Sequence, residues 1–207
     1  MRPKKWSYTP ADDSTTGFKT GATGAGPFTP SPTSSSDSLA HLVSLTSAAD
    51  VHTITVTLTG TDADGNAQTE TMAAPTSNTV YSTKYFKTLT SVAVSSTLGA
   101  NTMDIGWKDA CIGPTIPLNP NARQFQAGIG VDISGTIDYT IQHTFQDVQQ
   151  GSAAYPSTLQ WFDHDTLVAQ TADQQSNYSV PVRASRVKVN SLTAGATIAL
   201  TLNPGGV

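Results

Sequence analysis

Three short stretches carry side chains of the kind that do chemistry. Asp163-His164-Asp165 sets an imidazole between two carboxylates, the pairing a hydrolase uses to orient its general base. A working triad also needs a nucleophile converging on the same point. The chain holds no Gly-x-Ser-x-Gly elbow to supply one. Paired metal-binding histidines stand two apart on a strand or four apart on a helix. His143 and His164 lie far apart in sequence, and His41 and His52 fall in the other half of the chain. The expectation is that His143 fills an apolar strand face with a hydrogen-bonded imidazole, and that His164 sits in a loop with no catalytic role.

Asp62-Ala63-Asp64-Gly65-Asn66 opens like a calcium loop. A full EF-hand loop needs Gly at its sixth place and Glu at its twelfth. Here Gly65 comes fourth and Ala73 stands where the Glu belongs, so the stretch reads as a hairpin turn and no metal is expected. Glu70 is the chain's one glutamate, and the aspartates mostly fall in turn-like contexts, which leaves no clear carboxylate pair for glycoside cleavage. Cys111 is the single cysteine, so no internal disulfide can form, and no base can be placed beside it from sequence. It reads as a buried thiol. The Gly17 to Gly26 stretch lacks the Gly-Lys-Ser/Thr ending of a phosphate loop. No catalytic residue, cofactor or metal is expected. Tyr155, Trp161 and Phe162 form an aromatic patch near a loop, fit to stack a sugar or a protein partner, or to turn inward as core.

The elements that position these residues follow period two. In His52-Thr53-Ile54-Thr55-Val56-Thr57-Leu58-Thr59 the apolar side chains take one face and the threonines the other, the pattern of a half-buried strand. Gly60 to Asn66 supplies a turn, and Gln68 to Met72 reads as the return strand. Further strands are expected at Val80-Tyr81, Val92–Val94, Met103–Trp107, Val187 to Val189 and Ile198 to Leu202, with Lys84-Tyr85-Phe86-Lys87 as a short helical or turn segment. Phe125, Ala127, Ile129, Val131 and Ile133 alternate, as do Ile137, Tyr139, Ile141, His143 and Phe145, with Ser134-Gly135 as the turn between. No window holds a 3.6-residue stripe. The fold class is therefore all-β: two consecutive β-sandwiches, Ig-like or jelly-roll-like, over residues 41–112 and 122–207. A proline-rich linker at 113–121 separates them, because Pro114, Pro117 and Pro120 deny ladder hydrogen bonds.

Residues 1–40 read as a different polymer, a Gly/Pro/Ser/Thr-rich extended arm that cannot offset its ordering entropy alone. Trp6, Tyr8, Phe18 and Phe28 interrupt it, and the expectation is that these aromatics anchor the arm on a neighbouring chain. Charged residues are only 13% of the 207, about half the usual share. A Thr- and Ser-rich surface of that kind suits close packing against protein neighbours, since few charges need desolvating. The net charge of −4 argues against a nucleic-acid binder, which clusters Lys and Arg on phosphates. No apolar run approaches the ~20 residues of a membrane span, and the N-terminus lacks a signal-peptide core.

The stretches Thr59 to Thr71, Ser82 to Thr88 and Ile105-Gly106-Trp107 resemble a module recurrent in tailed-bacteriophage structural proteins. Gly135 to Phe145, Trp161-Phe162-Asp163-His164 and Tyr178 to Ala184 resemble a second phage module. Together they span most of residues 50 to 205 and leave the leader outside. The resemblance implies a non-enzymatic virion component, assembled in the host cytoplasm, at the head surface, the head–tail neck or the tail. It brings no catalytic residues. The expected role is a decoration or collar protein anchored by the arm, forming homo-oligomers and meeting capsid, portal or neck proteins, with no nucleic acid and no membrane as partner. A tail-tube subunit and a host-surface glycan-binding module are the alternatives.

Overall fold

The computed structural model describes residues 3–119, 126–148 and 159–205. No helix occurs among them. In chain order the strands are β1 (Lys4–Tyr8), β2 (Ser14–Ala22), β3 (Ala40–Thr46), β4 (Thr55–Thr61), β5 (Ala67–Ala73) and β6 (Thr79–Phe86). There follow β7 (Thr88–Val94), β8 (Met103–Ile112), β9 (Ile116–Pro117), β10 (Gln126–Ser134) and β11 (Ile137–Thr144). The last are β12 (Phe162–Asp163), β13 (Gln174–Tyr178), β14 (Ala184–Leu192) and β15 (Thr197–Gly205). They fall into two compact units that are not consecutive in sequence: Ala11–Ile112, and Met1–Pro10 together with Gly113–Val207.

In the Ala11–Ile112 unit, β2, β8, β3 and β6 lie side by side in one sheet, and β5, β4 and β7 make another. The period-two pattern does its work in β4, where Val56 and Leu58 are buried and Thr55 and Thr59 exposed. These two residues share one core cluster with Val43, Leu45 and Ile105 of the other sheet. Each such side chain contributes about 1.5–3 kcal/mol by leaving water. Asp62 to Asn66 is the hairpin turn between β4 and β5. Glu70 of β5 reaches across to β6, accepting from the amides of Thr83 and Lys84 at 2.7 and 2.8 Å. Lys84 to Phe86 belong to strand β6, not to a helix or turn. A register shift there is bridged by Ser82, whose hydroxyl accepts from the Val43 amide and donates to the Lys84 carbonyl.

The leader departs most from expectation. It is no free arm, because it supplies strands β1 and β2 to the chain's own sheets and buries Phe18 and Phe28. Phe18 is 1% exposed and Phe28 6%, both inside the core of the Ala11–Ile112 unit. Phe18 packs edge-on against Trp107, with ring centroids 5.0 Å apart. Trp107 in turn donates its indole N–H to the Asp12 carbonyl at 2.9 Å. That approach requires glycine at two places. A Cβ on Gly17 would run into the Trp107 ring, and one on Gly106 into the Ser14 carbonyl. Phe28 exchanges both backbone hydrogen bonds with Val92 of β7.

In the other unit, β1, β15, β10 and β13 form one sheet, and β12, β11, β14 and β9 lie side by side in another. Strand β1 is an edge, paired with Leu202 to Ile198, and its two lysines are the charges that discourage further strand addition. The proline-rich stretch contributes to the fold instead of spanning it freely: Ile116 is buried, and Pro117 sits at the end of an edge strand where its missing N–H does no harm. Ser134 ends β10 and the chain bends at Gly135-Thr136, with Gly135 at φ 81°, but the bend does not close a hairpin. It passes from β10 in one sheet to β11 in the other.

Because Phe18 is core, Phe18→Ala should lower the stability of the Ala11–Ile112 unit by ~3–5 kcal/mol, the usual penalty for emptying a buried aromatic site. Urea denaturation followed by tryptophan fluorescence checks this, and a chain lacking residues 1–40 should show no cooperative transition for that unit.

Candidate functional site

One buried constellation has the composition of a thiol triad. Cys111 is the direct cross-strand partner of His41 between β8 and β3. His41 Nε2 lies 2.8 Å from the Asp37 carboxylate. The geometry disarms it. His41 Nδ1 faces the Lys108 carbonyl at 2.7 Å, an oxygen that only accepts. Nδ1 therefore donates, Nε2 is turned to Asp37, and neither is left to take a proton from the thiol. Cys111 and His41 are fully buried. Burial pushes the Cys111 thiol pKa up, and the negative charges of Asp37 and Asp109 push it further, away from the reactive thiolate.

The Asp37–His41 pair is a clasp. Burial alone would raise the Asp37 pKa, but the hydrogen bond and charge of His41, then Ser35 and the Ala11 amide, outweigh it and hold the carboxyl well below the usual range. Asp37 accepts from the Ala11 amide and the Ser35 hydroxyl, each at 2.7 Å, and from the Leu39 amide at 3.0 Å. It thus fixes the entry of the leader onto β3. Nothing in the sequence marks it, since Asp37 sits in a serine-rich run that resembles a linker.

The second cluster lies in the other unit, at the end of β11. Its alternating face runs from the core outward: Ile137, Tyr139 and Ile141 are fully buried, His143 is half-buried, and Phe145 is 49% exposed. The His143 ring lies 5.2 Å from Phe145, 5.3 Å from Tyr178, 6.1 Å from Phe162 and 6.4 Å from His164, between centroids. Phe162 is 42% exposed and 5.9 Å from Phe145, so the two rings form an apolar rim. The expected hydrogen bond of His143 is missing: its Nδ1 is buried without a partner. Burial, then His164, lowers the His143 pKa, while Asp165 and Asp163 pull the other way.

His164 sits in the loop after β12, as expected, but is buried there at 5% exposure. Its amide donates to the Ile141 carbonyl at 2.8 Å. Its Nδ1 accepts from the Thr166 amide at 3.2 Å, which leaves Nε2 to carry the proton toward the Asn177 carbonyl at 3.4 Å. With both nitrogens engaged by backbone, Asp163-His164-Asp165 makes no acid–base relay.

The sequence-adjacent pair Trp161 and Phe162 is divided. Phe162 packs with His143, whereas Trp161 lies under the Arg186 guanidinium, 4.0 Å from its ring centroid. Arg186 donates to Gln142 Oε1 at 2.9 Å, and Gln142 donates to Asp163 at 2.8 Å. This ladder runs across three neighbouring strands and engages the polar groups beside Trp161. Tyr155 lies outside the described residues.

Of the expected anchors, Phe18 and Phe28 are core and cannot reach a neighbour. Trp6 is half-buried in β1, and the buried Tyr8 hydroxyl lacks a partner, its pKa pushed up to about 12 by burial. Asp62 accepts from the amides of Asp64 and Asn66 and from the Asn66 side chain, so its carboxylate is engaged by its own turn. Among the described residues, no group of three or more His, Cys, Asp or Glu stands close enough to hold a metal ion. A shallow groove of about 460 Å³ lies over Gly128 and Gly130, flanked by Gln175, Asn177, Thr201 and Asn203. Comparison of the chain with family models, curated proteins and solved structures gives no match.

The clasp makes a pH prediction. An unfolded aspartate titrates near ~4, and folded Asp37 lower. Its contribution is complete above the unfolded value and is lost as pH falls through the lower folded one. Asp37→Asn should cost ~3–5 kcal/mol at pH 7, as removing one partner of a buried pair does. It should also lose less stability than the native chain between pH 5 and pH 2, in urea titrations.

Proposed function

We propose that this chain is a non-enzymatic structural component of a tailed-bacteriophage particle, a head-surface decoration or head–tail neck protein that meets its neighbours through the aromatic rim. The observation that carries the reading is the pair Phe145 and Phe162, two large rings side by side and nearly half exposed. Exposed aromatics of this kind, on a surface poor in charge, are the anchors of protein interfaces. Each contributes about 1.5–3 kcal/mol when buried. In the two histidine-bearing constellations the ring nitrogens of His41 and His164 are tied to backbone or to Asp37, and His143 Nδ1 is buried without a partner, which favours a structural role over a catalytic one. The phage assignment rests on the resemblance of Gly135 to Phe145, Trp161 to His164 and Tyr178 to Ala184, the segments that carry the rim.

On this reading each unit is a two-layered sandwich of Ig-like or jelly-roll-like type, repeated around the particle by homo-oligomer symmetry. The neighbours are further copies and capsid, portal or neck proteins. The rim takes over the anchoring role that the leader's phenylalanines cannot fill. A glycan platform on Trp161 is less favoured, because Arg186 covers a face of its ring and the adjacent polar groups are engaged in the ladder.

Phe145→Asp with Phe162→Asp tests the reading. The purified double variant should keep its β-sheet circular dichroism and yet be depleted at least tenfold from particles, since two lost anchors exceed the ~1.4 kcal/mol of a tenfold change. Full incorporation of the folded variant would contradict it.

A further inference from the structure

The short strand β12 is held to its unit by few bonds. It has two register pairs with β11, Gln142 with Asp163 and His143 with Phe162. Just beyond it, the His164 amide donates to Ile141, and the Ile141 amide donates to Leu167, both at 2.8 Å. Side-chain support comes through the His143 ring, set among Phe145, Phe162, His164 and Tyr178, and through Gln142, which donates to Asp163 at 2.8 Å.

That seat favours the neutral ring. With its proton on Nε2, His143 leaves a bare lone pair at the buried Nδ1, a modest penalty. An imidazolium would place an N–H donor and a charge at the same spot. An unsatisfied donor costs more, and a partly desolvated charge adds to it. The surrounding groups are committed elsewhere. Tyr178 shares a hydrogen bond with Ser185, the cross-strand neighbour of His143 on β14, and Ser185 donates to the Gln142 carbonyl. His164 has both nitrogens engaged by backbone. Asp163 accepts from Gln142, and Asp165 stands exposed. Arg186, next along β14 from Ser185, is held over Trp161.

We propose that His143 is the trigger of an acid-sensitive latch: on taking a proton from solvent its ring leaves the aromatic seat, and the β12 segment with Phe162 comes away from the edge of β11. The latch belongs to the chain alone and holds whether or not the rim meets a neighbour. If it does, acid disperses the rim and weakens that contact. The sign follows from linkage. The seated ring has a pKa below the ordinary histidine value near ~6.5, for burial first and His164 second, against the pull of Asp165 and Asp163. The open form regains the ordinary value and binds more protons, so falling pH favours opening from about 6.5 downward.

Amide hydrogen exchange by NMR on the isolated full chain, between pH 7.5 and 5.0, tests the latch. Protection of the Ile141 and His164 amides should fall by up to tenfold per pH unit below about 6.5, the limit for one linked proton. Protection at Ile129 and Val131 in β10 should hold. His143→Phe keeps a ring in the seat and cannot titrate, so its Ile141 and His164 protection should be independent of pH. Unchanged protection in the native chain, or the same fall in His143→Phe, would overturn the proposal. Should that variant fail to fold, the ring-proton titration of His143 in the native chain decides: a midpoint below 6.5 supports the latch, and one at or above it refutes it.

Discussion

Thin sheets close only when the chain's large apolar side chains reach their interior, and here two of those side chains come from the leader. Phe18 and Phe28 lie in the core of the Ala11–Ile112 unit, the first against Trp107. Gly17 and Gly106 permit that approach, and the Asp37–His41 clasp holds the entry of the segment at Ala11. A few residues earlier the same leader supplies β1 to the other unit. A stretch composed like a linker is thus part of both folds. This has a consequence for function: aromatics committed to a chain's own core are not free to anchor it elsewhere.

What remains exposed follows from how β11 ends. Its apolar face continues past the last residue that the sheets cover, so Phe145 reaches solvent beside Phe162. The polar groups nearby are mostly paired. Arg186, Gln142 and Asp163 form a ladder over Trp161, and His164 is tied to backbone. A surface with satisfied polar groups and two unsatisfied rings is better fitted to dry contact with another protein than to recognition of a hydroxyl-rich ligand. Among the described residues, His143 Nδ1 is the buried side-chain atom of this cluster without a partner, and on the latch proposed above its isolation makes the cluster sensitive to protonation.

Period-two alternation made β4, β10 and β11 legible in the sequence, because apolar and polar side chains alternate along each beside nearby turn residues, although in β11 Thr140, Gln142 and Thr144 of the polar face are buried as well. The hairpin at Asp62 to Asn66 was legible for the same reason, since its carboxylate caps its own turn. The leader was not. Gly17 reads as flexibility until Trp107 is known to lie over it, and that contact joins residues far apart in sequence. Lys84 to Phe86 carry no alternation because Glu70 and Ser82, each from a different position in the chain, hold the irregular part of β6. Ser134-Gly135 looks like a hairpin turn because a turn's local chemistry does not say which sheet the next strand joins. The Asp37–His41–Cys111 constellation is likewise a product of register between β3 and β8.

A side-chain-resolution map of the phage particle proposed to carry this chain tests the central claim most directly. The account predicts Phe18 and Phe28 inside the chain's own core, with density from an adjacent protein chain packed on Phe145 and Phe162. A leader lifted out of its own sheets and docked on a neighbour, with the rim facing solvent, would contradict it.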